Sequence, residues 1–158
     1  MENLSLILWR ERELLETLLF KLEQEQLVLA SGRNRWLMRA AREVEAVLDT
    51  LRETEVLRSL AADEAAASVG MESNPSLRAL AEAVDEPWRS ILLDHRDAFL
   101  AVNREVMELA DSNRDLITAG YRSAREALMA LDEGAETYAP DGTAVAQPPR
   151  QRLIDRSL

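Results

Sequence analysis

Apolar residues recur along most of this chain at intervals of three and four. From the N-terminus the series is Leu4, Ile7, Leu8, Leu14, Leu15, Leu18, Leu19, Leu22 and Leu29, with Arg10, Glu13, Glu16 and Glu23 among the positions between. That spacing puts one apolar stripe on one side of an α-helix. No proline or glycine intervenes before Gly32, so the pattern predicts a first helix over about 3–30, closed by Ser31-Gly32 as C-cap and turn.

A second stripe, Leu37, Ala40, Ala41, Val44, Val47, Leu48, Leu51, Leu57 and Leu60, predicts a helix from about Asn34 to about Ala67 that degrades into alanine-rich sequence. Residues 68–75 gather Gly, Ser, Asn and Pro and are expected to form a loop. A short helix from Ser76 to about Asp85 follows. Pro87 suits the first turn of a last, long helix from Glu86 to about Glu133, capped by Gly134. The seam of that helix is Trp88, Leu92, His95, Phe99, Val102, Val106, Leu109, Asn113, Leu116 and Gly120, and it continues through Ala124, Ala127, Leu128 and Leu131. From Trp88 to Gly120 the steps alternate four and three, which is a heptad. Asn113 and Gly120 interrupt it: a polar seam residue sets register, and a glycine permits close approach.

The predicted fold is all-α: an elongated antiparallel bundle of three long helices plus one short helix over 1–134, with a flexible C-terminal tail over 135–158. The tail holds three of the five prolines and balances three acids with three arginines, a composition for extended or disordered chain. At 1.5 Å per residue the long helices span roughly 42, 50 and 70 Å. With flush ends the last would outrun its neighbours by roughly 20 Å, leaving an apolar stripe in need of cover.

Composition narrows the function. With 47% apolar and 30% charged residues but only 4% aromatic, the chain suits long amphipathic helices rather than a β-sandwich or barrel. It has no cysteine and one histidine, which removes thiol catalysis, disulfide scaffolds and His-rich metal sites. A carboxylate metal site in a bundle needs Glu-x-x-His, and Leu92 stands three before His95. His95 therefore reads as a structural seam residue. Carboxylate pairs such as Glu11 with Glu13, or Glu43 with Glu45, read as solvated ion-pair faces. No phosphate-binding glycine loop or nucleophile elbow occurs. Neither enzymatic activity nor a cofactor is expected. The net charge of −10 argues against nucleic acid and against anionic membrane surfaces. With no signal-peptide pattern and no membrane-length apolar run, the expected location is cytoplasmic.

Three features resemble the FlgN family of flagellar export chaperones. The first is the leucine-zipper-like opening, Leu14-Leu15-Glu16-Thr17-Leu18-Leu19 and Leu22-Glu23-Gln24-Glu25-Gln26-Leu27. The second is Asn113-Arg114-Asp115-Leu116-Ile117, similar to the family's Asn-x-x-Leu-[Leu/Ile] stretch, although Ala110 stands where a first Asn is usual. The third is Tyr138-Ala139-Pro140-Asp141-Gly142, similar to its Tyr-x-x-x-Gly element. The resemblance implies a carrier for the hook–filament junction proteins FlgK and FlgL that docks at the export gate protein FlhA. The overhanging apolar stripe predicts a cargo face of Asn113, Leu116, Ile117, Gly120, Ala124, Leu128 and Leu131, and the resemblance implies a gate contact of Tyr138, Asp141 and Gly142. The free protein is expected to be a monomer or weak homodimer. The alternative is a structural coiled-coil dimer or adaptor with no export role.

Overall fold

In a computed structural model of the chain the described residues are 1–135, with side chains described through Leu131. Four α-helices follow in order: α1, Glu2–Ala30; α2, Leu37–Ser68; α3, Leu77–Ala83; and α4, Trp88–Ala135. A single 3-10 turn, Asn34–Trp36, leads into α2. No strand occurs among the described residues, so the all-α expectation of three long helices and one short one is borne out. The expected tail lies outside the described residues.

Helix ends are set by local chemistry. Ser31 is the C-cap of α1, and Gly32 beyond it takes φ +65°, the left-handed conformation that glycine adopts without steric cost. α2 ends in a Schellman arrangement: Gly70 N–H bonds Ala67 O at 3.2 Å and Met71 N–H bonds Ala66 O at 2.9 Å. The Ser76 hydroxyl caps α3 by accepting from Ala79 N–H at 3.1 Å. One boundary differs from expectation. α4 runs through Gly134 to Ala135, so Gly134 is not its cap; glycine weakens a helix but does not by itself stop one.

The chain divides into two compact units, Met1–Ile117 and Thr118–Leu158. The first is a bundle built on α1. Glu11 meets Arg58 and Lys21 meets Glu43, so α2 runs antiparallel to α1. Trp9 meets His95 and Leu22 meets Asn113, so this part of α4 runs parallel to α1.

Two clusters form its core. One gathers Leu4 and Leu8 of α1, Ala61, Ala62 and Ala65 of α2, Leu80 and Ala81 of α3, Val84, and Leu92 of α4. The other gathers Leu15, Leu18 and Leu22 with Leu51, edged by Val102, Val106 and Leu109. Burying each leucine contributes about 2 kcal/mol. The α2 stripe therefore differs from the expected one. Leu57 and Leu60 are exposed, whereas the alanines that looked like its fading end are core. Small side chains there suit a core shared with Leu4, Leu8, Leu80 and Leu92, and the 3.6-residue turn carries the buried line from Leu51 through Thr54 to Ala61 and Ala65.

Candidate functional site

α4 holds the residues expected to face cargo, and they have two different fates. Asn113 is 2% exposed. Its Nδ2 donates to Leu22 O at 2.9 Å and to Glu25 Oε2 at 3.0 Å. Both bonds tie α4 to α1, in keeping with the register role of a polar seam residue. Asn113 Oδ1 is buried without a partner. On the adjacent residues, Gln26 Nε2 donates to Ser112 Oγ at 3.0 Å. These bonds link residues 86 to 91 apart in sequence. The same offset brings Ala30, the last residue of α1, level with the end of the first unit.

Asn113 is the last buried residue of the described α4. Beyond it Leu116 and Ile117 are exposed, as the closing residues of the first unit. In the second unit every residue from Thr118 to Leu131 is exposed. Leu128 reaches 68%, Leu131 71% and Tyr121 72%. Gly120 and Ala124 lie on the same helix, and nothing stands within 4 Å of a Cβ built at Gly120. Tyr121, Arg122 and Arg125 were not among the residues expected to face cargo; the signal for Tyr121 is its place three before Ala124 in a run that continues to Leu128 and Leu131. The expected gate residues Tyr138, Asp141 and Gly142 lie outside the described residues.

His95 is buried, as expected of a structural residue. Trp9 meets it edge-on at 5.1 Å and Phe99 stacks at 6.2 Å between ring centroids. Burial, seconded by the charge of Arg12 and opposed by Asp94, holds its pKa below the ordinary histidine value. A hollow of about 490 Å³ beside it is lined by Ser5, Trp9, Arg12, Ile91 and Asp94. A longer cleft of about 540 Å³ lies among α1, α2 and α4, with Leu15, Leu18, Phe99 and Val106 among its apolar lining and Arg52 and Glu55 among its polar lining.

At that cleft Glu11 departs from expectation. It is buried rather than solvated, with Oε2 2.9 Å from Arg58 Nε. Burial raises its pKa, and the Arg58 charge only partly offsets this. By contrast Glu43, shared by Lys21 at 2.8 Å and Arg39 at 3.1 Å, forms the expected ion-pair face. No group of three His, Cys, Asp or Glu side chains among the described residues is placed to hold a metal ion. No helix among them is long and apolar enough to cross a membrane.

The described residues thus form a helical bundle whose last helix continues with exposed apolar side chains. The profile of the FlgN protein family matches residues 1–146, and the chain belongs to that family of flagellar export chaperones. No curated protein and no solved structure matches the chain.

Proposed function

We propose that this protein is a cytoplasmic export chaperone for the hook–filament junction proteins FlgK and FlgL. It would hold a helical terminus of the cargo and deliver it to the export gate protein FlhA. Family membership supports the chaperone class. The observation that carries the cargo reading is the helix over 118–131, rich in apolar side chains and buried nowhere. An amphipathic helix laid on such a surface is a recurrent mode of recognition. Leu116, Ile117, Gly120, Ala124, Leu128 and Leu131 supply the contacts in this reading, while Asn113 holds α4 to α1.

The gate contact is assigned to Tyr138, Asp141 and Gly142 of the tail, residues 135–158, where Pro140-Asp141-Gly142 has the chemistry of a turn that presents an aromatic.

Calorimetric titration with purified FlgK and FlgL tests the cargo reading. A one-to-one complex is expected, and Leu128→Asp should weaken it tenfold or more, about 1.4 kcal/mol. Unchanged affinity in the folded variant rejects the assignment. A concentration-independent dimer that binds neither cargo establishes the structural coiled-coil alternative instead. For the gate, Tyr138→Ala should abolish co-precipitation with the cytoplasmic part of FlhA while leaving cargo affinity intact.

A further inference from the structure

The tip of the hairpin formed by α1 and α2 breaks the charge pattern of the first unit. Between Glu25 and Glu43 lie 17 residues without an acid, the longest such run in the chain. They carry Arg33, Arg35, Arg39 and Arg42, a balance of +4, while the other residues of 1–117 balance at −13. Arg39 pairs with Glu43 at 3.1 Å. Arg33, Arg35 and Arg42 are exposed and have no carboxylate within ion-pair distance among the described residues. Of the acids next in line, Glu25 accepts from Asn113, Glu43 also holds Lys21, and Asp111 of α4 pairs with Arg114. That leaves Glu23 and Asp115 against the four arginines.

Local helix chemistry does not account for this composition. A helix N-terminus favours acids, yet the first turn of α2 holds none and carries Arg39. Serine, threonine, aspartate or asparagine is preferred at an N-cap, yet the N-cap of α2 is Trp36, which makes no capping bond. Trp36 is exposed, with the Arg35 guanidinium 5.1 Å over its ring. Leu27 of α1 and Met38 of α2 are exposed beside it in the chain's turn. Leu27 stands three residues before the end of α1, and Met38 is the second residue of α2. At 1.5 Å per residue both lie within about 5 Å of their helix ends, and Arg42 within about 8 Å.

From this arrangement we propose that the hairpin tip is a reversible docking site for an anionic lipid surface. A bilayer interface takes up apolar and cationic side chains together to a depth of about 5–10 Å, which spans this set. Tryptophan settles at the headgroup level. Arginine stems lie along the apolar boundary while their guanidinium groups bond phosphates. Nucleic acid would meet the arginines but leave Leu27 and Met38 uncovered. The net charge of the whole chain argues against an anionic surface, but its distribution lets one end approach and turns the rest away. Three apolar side chains make a shallow, salt-sensitive contact rather than an anchor. The inference does not depend on the cargo reading.

The test uses the full chain and sucrose-loaded vesicles, one set of phosphatidylcholine alone and one of equal parts phosphatidylcholine and phosphatidylserine. Sedimentation at low salt should show about tenfold or stronger preference for the anionic set, falling as salt is raised. Arg33→Glu/Arg35→Glu should remove that preference, and Arg33→Lys/Arg35→Lys should keep most of it. Far-UV circular dichroism checks that both variants are folded. Trp36→Ser/Met38→Ser should weaken partitioning several-fold. Brominated acyl chains should quench tryptophan fluorescence in the wild type and not in Trp36→Phe, which retains Trp9 and Trp88.

Equal partitioning onto the two vesicle sets overturns the inference. So does a preference that survives charge reversal, or quenching that persists in Trp36→Phe. Two soluble polyanions, poly-glutamate and a duplex oligonucleotide, supply the remaining check. If either binds more tightly than the anionic vesicles and displaces them, the tip serves an acidic protein or a nucleic acid, and the lipid assignment falls.

Discussion

α4 obeys one sequence rule along its length and meets two environments. In the first unit, seam residues Leu92, His95 and Asn113 are buried against α1 or its neighbours. In the second, Leu128 and Leu131 continue the same periodicity and are two-thirds exposed or more. The difference is not hydrophobicity, since leucine stands on both sides. It is the end of α1 at Ala30, which leaves later seam residues without a helix of their own unit to cover them. Periodicity thus states that a face will be buried without stating by what.

Core deletions should show the contrast most strongly. Leu8 and Leu92 are 0% and 1% exposed, so Leu8→Ala or Leu92→Ala should cost about 2–5 kcal/mol of unfolding free energy. Leu128→Ala should cost less than about 0.5 kcal/mol in the free protein. Urea unfolding measures all three. A comparable loss at Leu128 would show that the second unit is covered after all.

The next effect lies where the two regions meet. Asn113→Ala removes the donor to Leu22 O and leaves Glu25 buried with one bond fewer. The expected cost is about 1–3 kcal/mol. Asn113→Leu combined with Glu25→Leu should recover most of it, because replacing both partners of a buried polar pair with apolar groups is close to neutral. Failure of the double variant to recover would mean that Asn113 acts through something other than its bond to Glu25.

Most of the fold was legible in the chain. The leucine spacing of α1, the Gly32 turn, the loop before Pro75 and the seam of α4 each have a local cause that sequence displays. The fate of the alanines in α2 does not. Ala61 and Ala65 look weakly apolar, and only the gathering of Leu4, Leu8, Leu80 and Leu92 from other helices makes them core. Glu11 was partly legible: it falls between Leu8 and Leu15 in a series of four- and three-residue steps, as Glu13 does not. Its ion-pair partner Arg58 was not, because it lies 47 residues away. The candidate site was legible as a stripe, since Leu128 and Leu131 recur at helical spacing beyond the end of the heptad at Gly120.

Acid should loosen the covered region through His95. Its folded pKa is depressed by burial and by Arg12, against the pull of Asp94. The neutral ring is therefore favoured in the fold, and its contribution is fully present above the unfolded value of about 6.5. It is lost as pH falls through that value toward the folded one. Urea midpoints should drop between pH 7.5 and pH 5.5, and His95→Phe should flatten the drop. Glu11 acts with the opposite sign, since its raised pKa makes the fold relatively more stable as pH falls. The two effects are separated by comparing the His95→Phe slope with that of the wild type.

The smallest effect tests whether the bare helix answers only to itself. Gly120 lies within α4 of the second unit, has no left-handed φ, and leaves open space where a Cβ would stand. Within the free protein, then, Gly120→Ala meets no clash and gains helix propensity worth about 0.5–1 kcal/mol. The gain should be local. Amide hydrogen exchange over 118–131 should slow several-fold, while the urea midpoint of the core, fixed by residues such as Leu8 and Leu92, should stay in place. An exchange rate that rises would mean that the glycine already serves a contact within the chain. Slower exchange together with weaker cargo binding would separate what suits this helix alone from what suits it in company: the alanine would stabilise the free segment while holding the partner's backbone away.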